Sequence, residues 1–266
     1  MAINKPILFI LIILSFSQLS RAQSFRGAWE IGVSAGGAGY VGDLNQYNPV
    51  QVSGVNAGIF LKRNFNSYLG LRFNYNYGQI KANDANSSNE QFRERNLSFK
   101  TALNEGSAII DFNFFDYAIN DGTRRFTPYL FAGIGFINFK PKIKYQGETY
   151  RLDYLGTEGQ ENGYKNTALA IPFGGGFRYN YKDNWSIFTE LGYRTAFTDY
   201  LDDVSGVYPA NPVYVGNNPG LNLSDPSLHQ TGAAGVQRGD FRKRDTYLFV
   251  SVGISFTFVS SKCYSF

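Results

Sequence analysis

Apolar and polar residues alternate along most of this chain with a period of two. In residues 68–80, Leu69, Leu71, Phe73, Tyr75 and Tyr77 fall on one face, and Gly70, Arg72, Asn74, Asn76 and Gly78 on the other. Residues 185–198 repeat the pattern, with Trp185, Ile187, Leu191, Tyr193 and Phe197 opposite Ser186, Glu190, Gly192, Arg194 and Thr198. Val55, Ala57, Ile59 and Leu61 oppose Gly54, Asn56 and Gly58. Near the end of the chain, Leu248, Val250, Val252, Ile254, Phe256 and Phe258 oppose Ser251, Gly253, Ser255 and Thr257. Such alternation predicts strands with one apolar and one polar face. It marks eight segments: 29–40, 53–63, 68–80, 99–115, 126–139, 169–181, 185–198 and 246–258. No stretch between or after them carries a helical period over three turns.

The connections between segments run to about 12, 4, 18, 10, 29, 3 and 47 residues, so long and short ones alternate, the habit of outer-membrane barrels. In lipid every backbone N–H and C=O must find a partner within the protein, and strands achieve this only in a closed barrel. The expectation is therefore an all-β fold: an eight-stranded antiparallel transmembrane β-barrel of outer-membrane type, with long extracellular loops and short periplasmic turns. Tyr40, Tyr68, Tyr179, Tyr181, Trp185 and Phe258, near strand ends, suit the interfacial aromatic girdles. The rival is a soluble exported barrel or sandwich, which also buries one face. Large aromatics opposite Arg, Asn and Glu, together with the alternating loop lengths, favour the membrane form.

Residues 1–22 read as a signal peptide. Lys5 precedes the apolar run from Pro6 to Leu14, and Ser20-Arg21-Ala22 has the small-x-small cleavage pattern. The run is too short to span a bilayer as a helix. The domains expected are the signal peptide (1–22), the barrel (23–258) and a periplasmic tail (259–266), with no N-terminal lipid. Composition agrees with an exported β protein. The chain of 266 residues has 24 Phe, 19 Tyr and 29 Gly but only 1 Cys and 1 His, which argues against a disulfide scaffold and a Cys/His metal centre. A mean hydropathy of −0.25 leaves no room for a helical polytopic protein. The net charge of +4 falls to +2 once Lys5 and Arg21 of the expected signal peptide are removed (4 − 2), too weak, and too scattered, for nucleic acid.

Charged residues on the polar faces, Glu30, Arg72, Asp111, Arg178, Glu190 and Arg194, are expected to pair inside the barrel, because eight strands leave room for side chains but no channel. Asp199, Asp202 and Asp203 read as a solvated loop end before they read as a calcium site. His229 lies in the longest, Pro- and Gly-rich loop, where a polar loop residue is expected before a hydrolase triad. Cys263 follows the last segment; a lone cysteine in an oxidising compartment reads equally as a cross-link to a partner and as a passive thiol.

An ordered set of stretches resembles the PorG-type outer-membrane barrels of the type IX secretion system. These are Trp-Glu-Ile-Gly-Val (29–33), Tyr-Val-Gly-Asp-Leu-Asn (40–45), Arg-Asn-Leu-Ser-Phe (95–99) and Asp-Phe-Asn-Phe-Phe-Asp-Tyr (111–117). They continue with Phe-Thr-Pro-Tyr-Leu-Phe-Ala-Gly-Ile-Gly (126–135), Leu-Gly-Thr-Glu-Gly-Gln (155–160), Ile-Pro-Phe-Gly-Gly-Gly (171–176) and Thr-Asp-Tyr-Leu-Asp-Asp-Val-Ser-Gly (198–206). Residues 209–238 find no counterpart. The resemblance implies a non-enzymatic component without cofactor. Its role would be to anchor a periplasmic ring, made of a PorK-type lipoprotein and a PorN-type partner, to the outer membrane of secreting and gliding cells. Within that expectation Arg124, Arg125, Lys262 and Cys263 would form the periplasmic docking patch. The alternative is a stand-alone surface barrel whose long loops bind a ligand or surface.

Overall fold

Side chains that alternate in polarity along extended strands can all be satisfied at once only if the sheet curls and closes, and this one does. The computed structural model describes residues 27–117, 124–182, 184–217, 220–240 and 242–258. Residues 1–22, read above as a signal peptide, lie outside them, as do Lys262 and Cys263. Eight strands make the barrel: β1 (Ala28–Val41), β2 (Val52–Asn64), β3 (Leu69–Asn83), β4 (Ser98–Asn113), β5 (Phe126–Tyr145), β7 (Thr167–Lys182), β8 (Trp185–Ala196) and β11 (Thr246–Phe258). Each pairs antiparallel with the next, and β1 closes the ring on β11 in continuous register from Trp29↔Phe258 to Val41↔Thr246. No helix among the described residues is long and apolar enough to cross a membrane. The fold is an all-β, eight-stranded, closed antiparallel barrel consistent with an outer-membrane protein.

The outer face is apolar, as the alternation requires. Leu69, Phe73, Tyr75 and Tyr77 on β3, Ile110 and Phe112 on β4, and Leu130, Ile134 and Phe136 on β5 are all exposed. From Leu69 to Tyr77 the strand advances about 27 Å, or about 20 Å in height at barrel tilt, close to the apolar band of such proteins. Tyr68, Tyr179, Tyr181, Trp185 and Phe258 are exposed too, all at the end where β2 leads into β3 and β7 into β8. Tyr40 corrects the expected girdle. It shares parity with Ala38 and Glu30, faces the interior, and packs edge-on against Phe99 at 4.9 Å. Leu248 is a second correction. Its parity points outward, yet it is fully buried where the β1–β2 connection crosses the wall; Tyr193, its register partner, donates there to the Pro49 carbonyl at 3.1 Å.

Bulky interior rings fit because glycines face them. A Cβ on Gly32 would come within 2.4 Å of the Phe60 ring, and one on Gly253 within 2.3 Å of Phe188. Toward the long-loop end the interior turns apolar: Ile80, Leu97, Phe99, Leu103, Ile137, Phe139, Leu201, Val204 and Phe249 form the principal core, which plugs the mouth. The long connections carry structure that the alternation did not reveal. Asp84–Asn86 is a 3-10 turn, and Glu90–Arg95 a short helix, α1, capped by Asn89. β5 runs on past residue 139 and folds back as a hairpin with β6 (Glu148–Arg151). β9 (Tyr214–Val215) pairs with β10 (Leu221–Asn222) inside the stretch 209–238.

Candidate functional site

The interior charges come together as one network. Asp111 lies 3.0 Å from Lys62, 3.2 Å from Arg72 and 3.5 Å from Arg178. Arg72 also meets Glu190 at 2.8 Å, and Arg178 meets Glu30 at 3.9 Å. Arg194 reaches Glu105 at 3.3 Å and Glu190 at 3.8 Å. Aromatic faces complete the guanidinium surroundings: Arg72 sits over both Phe60 and Phe131, Arg178 over Tyr129 and Arg194 over Phe249. The six residues named from sequence are thus brought together. Lys62 and Glu105 join them unannounced, giving four bases against four acids. Parity held the signal for both, since Lys62 and Glu105 lie on the buried faces of their strands. Beside Arg72 and Glu190 there remains a void of about 10 Å³, room for about one water.

Above the apolar plug the long loops lock into a cap through two arginines. Arg95, at the end of α1, holds Asp84 with a fork at 2.7 and 3.1 Å and donates to the carbonyls of Arg238 and Asp43. Arg238 is buried; it donates to Glu158 at 3.0 Å and to the carbonyls of Asp203 and Ser224 at 2.6 and 3.1 Å. Glu158 in turn accepts the backbone N–H groups of Ser205 and Gly206. Tyr164 and Thr157 both donate to Asp203 at 2.7 Å, and Tyr164 stacks on Tyr200. All four long connections are tied together by these contacts.

This corrects the expectation of a solvated loop end at Asp199, Asp202 and Asp203, since all three are buried under the cap. Tyr40 donates to Asp202 and, at 3.3 Å, to Asp245. One carboxylate oxygen each from Asp43, Asp199 and Asp245 lies within 4.8 Å of the others. Burial pushes Asp43 up to about 7, reinforced by the Asp240 carboxylate, and pushes Asp199 up to about 6. Burial, then their carboxylate neighbours, raises Asp202 and Asp245 well above the usual range. Burial also lifts Asp203 to about 6, against the pull of Arg238. Protons can neutralise this cluster, and three oxygens at that spacing also suit one hard divalent cation.

A carboxyl whose folded pKa is raised stabilises the cap below its unfolded value, and that contribution is lost as pH rises through the folded pKa. The cap should therefore weaken progressively as pH rises from about 4 through 6 and 7, where Asp199, Asp203 and Asp43 ionise. Hydrogen exchange of the cap amides, corrected for intrinsic rates, should show stronger protection at pH 5 than at pH 8. Equal protection would mean that these groups are ionised throughout.

The other candidate residues sit apart. His229 is on the cap surface, its side chain 79% exposed and its Nδ1 2.8 Å from Glu94. Arg124 and Arg125 are exposed beside the β4–β5 turn, with Arg124 over the Phe115 ring at 4.7 Å. A groove of about 840 Å³ opens at the long-loop rim between residues 45–53, 86–92 and the ends of β3, β4 and β5.

A closed barrel with an apolar wall, an ion-paired interior and a folded cap defines the class: a small outer-membrane β-barrel. The chain belongs to the family described as "Domain of unknown function (DUF6089)", whose profile matches residues 5–266. No curated protein matches it. Among solved structures it is similar to the neisserial surface protein A (NspA), at 15% identity over 86% of this chain and 97% of that one, with a TM-score of 0.42. It is also similar to a major outer membrane protein of Thermus thermophilus, at 11% identity over 88% and 100%, TM-score 0.44. The N-terminal β-barrel domain of Pseudomonas aeruginosa OprF matches at 11% identity over 88% and 100%, TM-score 0.38. Likenesses this distant bring no function to this chain.

Proposed function

We propose that this protein is a non-catalytic, non-conducting surface barrel whose locked loop cap is a rigid platform for binding a ligand or a surface. One observation carries the reading: four long connections are fixed to one another by half-buried Arg95 and buried Arg238 above an apolar plug. A pore would need an open lumen, whereas a recognition surface gains from loops whose ordering cost has been met before binding. Four of the stretches that carry the family resemblance, 40–45, 95–99, 155–160 and 198–206, supply Asp43, Arg95, Glu158 and Asp203 to this cap.

The secretion-system resemblance supports a second reading, in which the short-turn end anchors a periplasmic ring of PorK-type and PorN-type partners. Its structural support is the exposed pair Arg124 and Arg125; Lys262 and Cys263 complete that patch in the proposal. One experiment separates the two. Cells carrying Arg238→Ala should keep the barrel in the outer membrane and lose surface attachment, with secretion intact. If Arg124→Glu with Arg125→Glu abolishes secretion and co-purification of the ring lipoprotein while Arg238→Ala does nothing, the anchor reading replaces the platform.

A further inference from the structure

The outward face of β3, β4 and β5 changes character abruptly near the long-loop end. Tyr77, Asn104 and Asn138 lie in one register row across the three strands. On the short-turn side of that row the outward residues are Tyr75, Phe136, Ile134 and Ile110, all exposed to lipid. On the other side the outward rows hold Gln79, Ala102 and Lys140, then Lys81, Lys100 and Lys142, then Asn83 and Ser98, with Lys144 further along β5. Lys81 stands directly opposite Lys100, Lys100 opposite Lys142, and Lys142 opposite Arg151 of β6. Four cations on four adjacent strands therefore share one row.

Like charges directly opposite one another in a sheet repel. Arg151 is neutralised locally by Asp153, and its guanidinium stacks on Tyr154 at 4.0 Å. Among the described residues no carboxylate forms an ion pair with Lys81, Lys100, Lys140, Lys142 or Lys144. Glu148, the acid of the neighbouring hairpin, shares a row with Tyr145, on the opposite face, and accepts from Tyr150. The positive row stands about 13 Å along the strand beyond the Asn104 row, or about 10 Å in height at barrel tilt. That is headgroup depth, continuous with the lipid-facing wall. Lys81, Lys100, Lys142 and Lys144 also border the rim groove, whose far side is formed by Asn45, Asn48 and residues 86–88.

We propose that Lys81, Lys100 and Lys142, flanked by Lys140 and Lys144, hold the phosphate groups of an outer-leaflet glycolipid against the barrel wall, with the adjoining polar groove taking its sugars. Phosphate is the complement that a tight row of ammonium groups requires, and the acyl chains would lie on the apolar strip of the same three strands. This rests on the reading that the long loops face outward.

The test uses the full-length protein, delipidated in detergent and mixed with lipid A carrying both phosphates, with dephosphorylated lipid A, or with inorganic phosphate. Bound lipid is counted by native mass spectrometry. Wild type should bind the phosphorylated lipid in a salt-sensitive way, and the triple variant Lys81→Gln, Lys100→Gln, Lys142→Gln should bind it about 10- to 100-fold more weakly. Arg63→Gln, at the short-turn end, should bind as wild type does. Heat-modifiable gel migration confirms that each variant is folded; Lys81 and Lys100 are exposed, Lys142 is half-buried, and none belongs to the core. Equal binding by the triple variant, equal binding of dephosphorylated lipid, or full competition by inorganic phosphate at millimolar concentration would each overturn the proposal. Orientation is tested separately by thiol labelling of intact cells carrying His229→Cys in a Cys263→Ser background. Labelling that needs a breached outer membrane overturns the outward reading whatever the lipid result.

Discussion

Asp111→Ala should be the most damaging single substitution in the barrel. Three cations, Lys62, Arg72 and Arg178, converge on this one carboxylate, and the side chain is wholly buried. Removing it leaves Glu30 and Glu190 to balance all three, at longer range for Lys62 and Arg178. Breaking a buried ion pair from one side costs about 3–5 kcal/mol, because the abandoned charge stays out of water. The expected result is a heat-modifiability midpoint lowered well below wild type, or failure to refold in detergent. Adding Lys62→Met should recover part of the loss by restoring the charge balance, so the double-mutant cycle should return a coupling energy above about 1 kcal/mol. Additive losses would mean that the two groups stand independently. Glu190→Gln should cost less, since Glu190 is the one acid of the group that is not fully buried.

Much of this network was legible in the chain, because a period of two assigns every strand residue to a face. The same rule held the answers that were missed. Tyr40 shares even numbering with Glu30 and Ala38 and so had to face inward; its place near a strand end suggested a girdle. Lys62 sits beside Arg63 and Asn64, where a charged run reads as the approach to a turn. Glu105 was obscured because β4 is polar on both faces at that level, with Asn104 outward and Glu105 inward. That double polarity reflects the strand leaving the hydrocarbon, and it is also what exposes the lysine row. The cap lay beyond reach for a different reason. Asp203 and Arg238 belong to one buried cluster although they stand 35 residues apart in the chain. Local pattern carries no information on such closures, so an acidic loop read as solvated when it was folded under its neighbours.

Arg238→Ala should open the cap while leaving the barrel closed. The guanidinium is buried, and its donors reach Glu158, the Asp203 and Ser224 carbonyls and, at 3.4 Å, the Leu223 carbonyl. No smaller cation meets that geometry, so Arg238→Lys should fail nearly as badly as alanine. Deletion leaves Glu158 and Asp203 buried beside Asp202 without their positive partner, a cost of about 3–5 kcal/mol borne by the cap alone. None of these contacts involves the Lys62–Asp111 network, so the gel-shift midpoint of the barrel should stay near wild type. Limited trypsinolysis reads the difference. Arg242, Lys243 and Arg244, exposed just before β11, should be cleaved far faster in the variant than in wild type at the same pH. If cleavage is unchanged, the loops are held by the apolar plug instead, and Arg238 only fills space; if the barrel midpoint falls as well, cap and barrel form a single cooperative unit and the cap cannot act as an independent platform.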